Sequence, residues 1–382
     1  MAKRRNGEGS WGKKKVGNYV YVYYRDSNGN YTYGKTQKEV NQKRAIKEQN
    51  QFNLTDKTTF GEYIIAWLNK RQSMLESQTY DCYETMINSQ LLNFKQYDLA
   101  NVQLQNLTSD KLQKYLDMLA TKYARSTIEK MWVIVKKCIK YGEARNEIAP
   151  NITIDVKVPL ESKVAVKKKE IPFLSMEDME ELYQVLQLRY KNGVLKYHEN
   201  AHALILIMYS GMRVSEMIAL RWKNVNMEKQ EIYIRESSAT RKIRDKDLDK
   251  KYEQYNKSTK TSKGMRTIPL PSRGMEMIKY FYALNPNHKP NDFVCLTKNK
   301  TQIERQNINK TLKRMIKDSQ CTVRDFSPHA LRHTYGSVLL SQGVEIKTVS
   351  DLLGHEKIST TYDIYIGILE KDKREDIQRV FN

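Results

Sequence analysis

Apolar side chains recur at helical spacing through a long central stretch of the chain, residues 57–150. Phe60, Ile64 and Trp67 open the pattern, and Pro150 closes it. Residues three and four positions apart line one face of a helix, so this pattern predicts amphipathic helices that pack on one another. Four helices are expected, which start after Thr59 and near Gln78, Thr108 and Ser126.

The first 55 residues follow a different pattern. Tyr19–Tyr24 is a run of aromatic and β-branched residues, Asp26–Gly29 has turn chemistry, and Tyr31–Tyr33 can return as a strand. Thr36, with Glu39 three positions later, is typical of a helix start. We therefore predict a small three-stranded sheet followed by one helix. The alternative is a basic tail that only adds charge.

The rest of the chain contains an aperiodic stretch and then a mixed pattern. Residues 156–173 are extended and basic, which predicts a linker. Beyond the helix start at Ser175, the strand patterns Glu231–Arg235 and Arg266–Leu270 lie among helical segments. The polar stretch Ser237–Ser258 is interpreted as an extended hairpin or an inserted loop. The expected fold is multidomain and mainly α with small β-sheets, divided into residues 1–55, 57–155, 156–173 and 174–382.

Basic residues outnumber acidic ones, 66 to 44, which gives a formal net charge of +22. Such an excess suggests a polyanionic partner, because neutralising phosphates releases condensed counterions. A soluble protein that is merely basic is the alternative. The candidate phosphate contacts are the basic clusters of the first module and of the linker: Lys3, Arg4, Arg5, Lys13, Lys14, Lys15, Lys167, Lys168 and Lys169.

The cysteines and the apolar stretches indicate in which cellular compartment the protein is expected. The four cysteines lie far apart and form no C-x-x-C pair, so we expect reduced thiols and neither a disulfide framework nor a zinc site. The basic and Gly-rich start lacks the apolar region of a secretory signal, and the most apolar stretch, Ala203–Met208, is too short to span a bilayer. These features predict a cytoplasmic protein without a membrane partner.

Two segments combine arginine with a group that could assist it. A buried helix is expected to end at Gly211 and the next to begin at Arg213, which places a guanidinium beside the unpaired amides of a helix start. Glu216, one turn later, could orient that guanidinium. His329 and Arg332 share one face of a helix that begins after Pro328. A histidine beside an arginine suits proton transfer next to an anion.

Two further segments complete the candidate chemistry. A polar turn before Arg266 holds Lys260 and Lys263. The other segment has Gly354 at a helix end, then His355, and then a helix with a tyrosine at 362 and another at 365, for which Ser359 or Thr360 is the expected cap. Each segment alone is a common pattern, and the information lies in the occurrence of all four in this order along the chain.

In order and spacing, these segments resemble the tyrosine recombinases, a family that includes the integrases of phages and conjugative transposons. The family pattern is G-x-R-x-x-E, a lysine in a β-hairpin, H-x-x-R, then L-G-H and a tyrosine nine or ten residues later. Tyr365 follows His355 by ten residues, whereas Tyr362 lies too close to it. Lys260 fits the family spacing to Pro269 better than Lys263 does, although both remain candidates. The matching segments are Gly211–Glu216, Lys260, His329–Arg332 and Leu353–His355.

The resemblance implies an arm-binding first module, a core-binding helical bundle and a mixed α+β catalytic domain. It also implies cleavage of DNA through a 3′-phosphotyrosyl link, without a cofactor or a metal ion. The implied roles are Tyr365 as nucleophile, Arg213, Arg332 and His355 as phosphate ligands, His329 as the group that assists deprotonation, Lys260 as the acid for the 5′ oxygen, and Glu216 as a brace for Arg213.

The partners implied by the resemblance are double-stranded DNA, at core and arm attachment sites, and three further copies of the chain in a tetramer on DNA. An excisionase and a DNA-bending host protein are additional candidates. The segment Glu370–Asn382 is predicted to dock on a neighbouring protomer, with its own domain as the alternative. Two other functions compete: relaxation of DNA by a type IB topoisomerase, and DNA binding by a regulator that has lost catalysis. The second is disfavoured because all six catalytic positions hold competent residues.

Overall fold

The computed structural model divides the chain into two compact units, residues 1–167 and residues 168–382. The structure describes residues 9–16, 19–25, 31–41, 57–167, 172–244, 251–258 and 264–365. Among these residues, no helix is both long and apolar enough to cross a membrane.

The first unit begins with the predicted three-stranded antiparallel sheet, in the order β1-β2-β3. A helix starts at residue 37, where the Thr36 hydroxyl accepts a hydrogen bond from the Glu39 amide at 3.2 Å. The Glu39 carboxylate accepts from the Lys35 amide. A Cβ built on Gly34 would lie 2.9 Å from Val40, so this helix packs on the sheet at Gly34. The strands are β1 (Ser10–Val16), β2 (Tyr19–Arg25) and β3 (Tyr31–Gly34).

A helical bundle follows, as the sequence predicts. Thr59 and Glu62 form a reciprocal capping box at the first helix, and Thr108 caps the third through the Lys111 amide. The apolar faces of these helices form one buried core. The helices are α1 (Phe60–Lys70), α2 (Ser77–Met86), α3 (Ser109–Ala120) and α4 (Arg125–Glu143), and α2 continues as a π-helical segment, Ile87–Leu92.

Part of the predicted linker packs on this bundle. Val156 and Val164 are buried in the bundle core, and the Ala165 amide donates to the Ala120 carbonyl at 2.8 Å. These two buried valines hold the stretch against the helices, although its sequence shows no helical or strand periodicity. Residues 156–167 therefore belong to the compact first unit rather than to an extended strap.

The second unit is mixed α and β. Its first sheet has the order β4-β5-β8, and the polar stretch that the sequence left open forms a two-stranded hairpin, β6-β7, whose residues 245–250 lie outside the described part. The strands are β4 (Val225–Asn226), β5 (Glu231–Ile234), β6 (Glu236–Lys242), β7 (Tyr252–Ser258) and β8 (Arg266–Pro269). The helices are α5 (Met176–Gln184), α6 (Glu199–Ser210), α7 (Val214–Ala219), α8 (Ser272–Leu284), α9 (Arg305–Asp318), α10 (Pro328–Ser341) and α11 (Ile346–Leu353).

Helix α6 lies at the centre of this unit. It is apolar on nearly every side, as expected for a helix that neighbours surround, and Leu204 and Ile207 are fully buried. It ends at Gly211, which adopts φ +64°. A Cβ there would lie 2.4 Å from the Tyr335 ring, so glycine is required by the close approach as well as by the backbone conformation. This sharp stop places Arg213 at the start of α7.

The end of the described chain packs into a small core of its own. Helix α11 stops at Gly354, with φ +65°, and a further helix occupies residues 358–365. The expected caps, Ser359 and Thr360, lie inside that helix, because it begins at residue 358, two residues earlier than a cap at Ser359 predicts. Leu340, Val349, Leu353 and Tyr365 form the buried cluster. The predicted docking segment, residues 370–382, lies outside the described part of the chain.

Candidate active site

Arg213 and Glu216 form the first part of the site. The Glu216 carboxylate accepts from the Arg213 guanidinium at 2.7 Å and from the Arg213 main-chain amide at 2.8 Å. Glu216 is 3% exposed, whereas the Arg213 side chain is 37% exposed. The pair therefore presents a guanidinium at the surface from a buried anionic anchor, as the sequence predicts for a brace.

Arg332 belongs to the same site as Arg213 but is buried. Its guanidinium is 1% exposed and donates to the Gly211 carbonyl at 2.8 Å and to the Leu353 carbonyl. Burial, followed by the charge of Arg213, lowers the pKa of Arg332 to about 9. The guanidinium therefore stays protonated at neutral pH. An arginine this deep is stable only because main-chain carbonyls and Glu216 compensate it.

Three guanidiniums converge on the end of helix α11. Arg266 donates to the Leu352 carbonyl at 2.6 Å, Arg332 to the next carbonyl, and Arg213 to that of Gly354 at 3.2 Å. The last carbonyls of a helix lack partners within it and carry the negative end of its dipole, so cations are favoured there. Arg213 and Arg332 thus lie side by side, and the turn they share also leads to His355.

Arg266 was not among the predicted site residues. It also donates through both terminal nitrogens to the two Glu216 oxygens, at 3.1 and 2.8 Å. Burial alone would raise the pKa of Glu216, but the hydrogen bonds and charge of Arg266, together with the charge of Arg213, lower it to about 2. In the sequence, Arg266 was recognised only as the first residue of a predicted strand. Its position a few residues after Lys260 and Lys263 was the one signal that could have marked it as a site residue.

His355 follows the shared turn and is 8% exposed. Its Nδ1 lies 2.8 Å from the Thr361 hydroxyl, and its amide donates to the Ser350 carbonyl. Burial, and then the charges of Arg332 and Arg213, lower the pKa of His355 to about 3. The ring is therefore neutral at neutral pH, and its contact with Thr361 fixes its orientation.

His329 lies one turn before Arg332 on α10 and is exposed. Burial of part of the ring lowers the pKa of His329, and the charges of Arg332 and Arg213 lower it further. Its ring stands edge-on to that of His333, with the centroids 4.5 Å apart. A neutral imidazole at the surface beside two cations can accept a proton from a neighbouring acid.

Tyr365 is 2% exposed, whereas Tyr362 is 44% exposed. The Tyr365 hydroxyl lies 3.3 Å from Nδ1 of His333, a residue that the sequence analysis did not single out although it directly follows Arg332. Burial raises the pKa of Tyr365 to about 12, although the charge of Arg332 acts in the opposite direction. In this conformation the phenol is protonated and enclosed.

Several predicted residues are not placed. Lys260 and Lys263, Lys3 to Arg5, and Lys168 and Lys169 lie outside the described residues. Lys13, Lys14 and Lys15 are exposed along β1, and Lys167 is exposed and donates to the Glu161 and Ser162 carbonyls. Among the described residues, no group of three or more His, Cys, Asp or Glu side chains could hold a metal ion.

Comparison with known proteins gives a consistent result. The sequence model of the phage integrase family matches residues 172–371. A XerC-like tyrosine recombinase of Caldanaerobacter subterraneus is 26% identical over 377 residues, which cover 93% of each chain.

Solved structures share the fold. The Tn1549 transposon integrase, in complex with transposon right end DNA, aligns with 85% of this chain and 100% of its own, with a TM-score of 0.66 and 18% identity. The lambda integrase tetramer bound to a Holliday junction aligns with 95% of this chain and 96% of its own, with a TM-score of 0.54 and 13% identity.

Proposed function

Because the chain belongs to the phage integrase family, whose members are tyrosine recombinases, we propose that it is a site-specific DNA recombinase that uses Tyr365 as its nucleophile. The observation that carries the proposal is the convergence of Arg213, Arg332 and the turn before His355 on one place. Two guanidiniums side by side form a binding site for the non-bridging oxygens of one phosphodiester.

In the proposed cleavage step, the Tyr365 oxygen forms a bond to phosphorus while the bond from phosphorus to the 5′ oxygen breaks. His329 takes the phenolic proton, and Lys260 supplies a proton to the departing 5′ oxygen. The product is a 3′-phosphotyrosine and a free 5′-hydroxyl. Attack by the 5′-hydroxyl of a partner strand reverses the bond changes and frees Tyr365. Because the phosphotyrosine conserves the energy of the bond, no nucleotide hydrolysis is needed.

The enclosed position of Tyr365 sets a requirement on this step. In the described conformation neither Tyr365, at 2% exposed, nor Arg332, at 1% exposed, reaches a DNA phosphate, and a phenol with a pKa near 12 is a weak nucleophile. The helix of residues 358–365 must therefore move and carry the phenol toward Arg213 and Arg332. Their positive charges would then favour the phenolate form.

The proposed assembly follows from the family and from the described folds. The basic sheet module would bind arm-type sites, the helical bundle would bind the core site, and four protomers would exchange strands through a Holliday junction. The element moved would be a phage or a conjugative transposon in a bacterial cytoplasm, with an excisionase and a DNA-bending host protein as further partners. If deleting residues 371–382 leaves cooperative assembly on DNA intact, the proposed docking of that segment on a neighbour is wrong.

A nicked suicide substrate tests the proposal. Such a DNA loses a short strand on cleavage and traps the phosphotyrosine, which appears as a covalent adduct of protein and DNA. Wild type and Tyr362→Phe should form the adduct, and Tyr365→Phe should not. An adduct that persists in Tyr365→Phe and disappears in Tyr362→Phe would move the nucleophile to Tyr362.

A second pair of assays separates the competing functions. Resolution of a synthetic Holliday junction indicates a recombinase, whereas relaxation of supercoiled plasmid without junction resolution indicates a topoisomerase. Binding to the attachment site without any adduct would indicate a regulator and would overturn the proposed enzyme.

A further inference from the structure

Arg266 connects three segments that surround the proposed phosphate site. It is 8% exposed at the start of β8. Its Nε donates to the Leu352 carbonyl, and its Nη1 also donates at 3.3 Å to the carbonyl of Gly264, the residue that directly follows Lys263 in the sequence. Its two terminal nitrogens hold both oxygens of Glu216. The planar fork of arginine fits this arrangement, and a lysine ammonium could not make the same contacts at once.

Glu216 is shared by two arginines. One of its oxygens accepts from the Arg213 guanidinium and from Nη1 of Arg266, and the other accepts from the Arg213 amide and from Nη2 of Arg266. A single carboxylate compensates a single guanidinium. With Arg213 alone, the Arg213–Glu216 pair would be neutral, whereas Arg213, Glu216 and Arg266 together carry one positive charge.

The net charge of the three arginines and Glu216 matches the negative charge that develops on the phosphate during cleavage. Arg213, Arg266 and Arg332 contribute three positive charges and Glu216 one negative charge, which leaves a net charge of +2. A phosphodiester carries one negative charge. Attack by a phenolate adds a second, so the pentacoordinate phosphorus species is dianionic and the site gains most from its charge at that stage.

We propose that Arg266 is a positioning residue for strand cleavage: it fixes Glu216 so that Arg213 keeps its orientation, and its charge keeps Arg213 from being neutralised by Glu216. This inference rests on the proposed recombinase function. A purely structural role, the capping of helix α11 at Leu352, would make Arg266 important for stability but would not make its effect depend on the charge of the substrate.

Changing the charge on the scissile phosphate distinguishes the positioning role of Arg266 from a purely structural one. We define the charge preference as the single-turnover cleavage rate of a suicide substrate with an ordinary scissile phosphate, divided by the rate with a methylphosphonate at the same position, both at saturating DNA. The methylphosphonate is neutral, so its transition state carries one negative charge fewer. Arg266→Gln should lower the charge preference on the order of tenfold, because it removes one positive charge next to the site. Arg266→Lys should retain most of the preference while cleaving more slowly than wild type, since it keeps the charge without the fork.

Arg221→Gln is the matched control. Arg221 also donates to a carboxylate, that of Glu236, and to a main-chain carbonyl, that of Asn291, outside the site. Its replacement should leave the charge preference at the wild-type value. An Arg266→Gln variant that cleaves both substrates at the wild-type rates, or loses the same factor on both, overturns the inference.

A second comparison tests the inference if Arg266→Gln does not fold. In that variant the buried Glu216 carboxylate loses one of its two arginine partners, which could destabilise the protein. Glu216→Gln has no buried carboxylate and a net charge of +3, and adding Arg266→Gln brings it to +2. That addition should again lower the charge preference on the order of tenfold. An unchanged preference overturns the inference. If wild type itself forms no adduct, the proposed function fails, whereas a wild-type adduct with an insensitive Arg266 removes only this inference.

Discussion

Gly336 lies directly beneath the hydroxyl of Tyr365. A Cβ built at position 336 would be 2.4 Å from that oxygen, closer than real side chains approach one another. Helix α10 therefore accepts the phenol only because residue 336 has no side chain. The Tyr365 side chain, the proposed nucleophile, lies in a closely fitting socket formed by Gly336, His333 and Leu353.

Filling this socket should release Tyr365. Gly336→Ala is expected to displace the phenol and to increase its reaction with tetranitromethane, measured by mass spectrometry of the peptide that contains residue 365. Gly274→Ala is the control, because a Cβ at that helical glycine meets Leu270 at 3.3 Å and fits with a small adjustment. Equal nitration of Tyr365 in both variants and in wild type would contradict the socket.

The stability of the protein should depend on pH through His333. Burial, and then the charges of His329 and Arg332, lower its pKa to about 4. The unfolded chain takes up this proton near pH 6.5 and the folded chain only near pH 4, so the free energy of unfolding falls as pH drops through this window. The contribution lost is about 3 kcal/mol for such a shift, as an upper figure. Urea unfolding of His333→Gln should show a correspondingly smaller decrease between pH 7 and pH 4, and parallel profiles would contradict the assignment.

Arg332→Lys should slow strand cleavage with little loss of DNA binding. A lysine cannot donate to the Gly211 and Leu353 carbonyls and to a phosphate together, and losing one such donor lowers rates by about 10²–10³. The measurement is single-turnover formation of the covalent adduct. Arg324→Lys is the control, since Arg324 also donates to two main-chain carbonyls, those of Ile316 and Ser319, but outside the site. A cleavage defect of equal size in the control would show that the effect is one of folding.

The sheet module should bind DNA through the face opposite its helix. Side chains alternate along a strand, so Lys14 shares a face with Tyr23 and Tyr33, while Lys13 and Lys15 share the face on which the helix packs at Gly34. Lys14→Gln should weaken binding to an arm-type site and reduce the slope of log affinity against log salt by about 1. Core-site binding should not change. A larger effect of Lys13→Gln than of Lys14→Gln at the arm site would place the DNA on the other face.

The features that could be predicted from the sequence depend on neighbours within a few residues. Thr59 with Glu62, Thr108, and Ser175 mark helix starts because each cap bonds an amide three positions away. Gly211 and Gly354 mark helix ends for an equally local reason, the left-handed backbone. The spacing of Arg213, Arg332, His355 and Tyr365 was recognisable as a family pattern, and the fold brings both arginines to the turn before His355.

What the sequence could not provide is contact between distant segments. Arg266 and Leu352 are 86 positions apart, and nothing near either residue indicates their hydrogen bond. The burial of Tyr365 on Gly336 likewise requires two helices in register. The docking of Val156 and Val164 on the bundle was missed because isolated valines in polar sequence show no periodicity.

The socket around Tyr365 has a consequence for the cell that carries this protein. A lone protomer that encounters unrelated chromosome in the described conformation keeps its Tyr365 oxygen out of reach of any strand. With Tyr365 as the proposed nucleophile, breakage of the host's genetic material would then be held back by steric enclosure, in addition to any selectivity of recognition, until the helix of residues 358–365 moves.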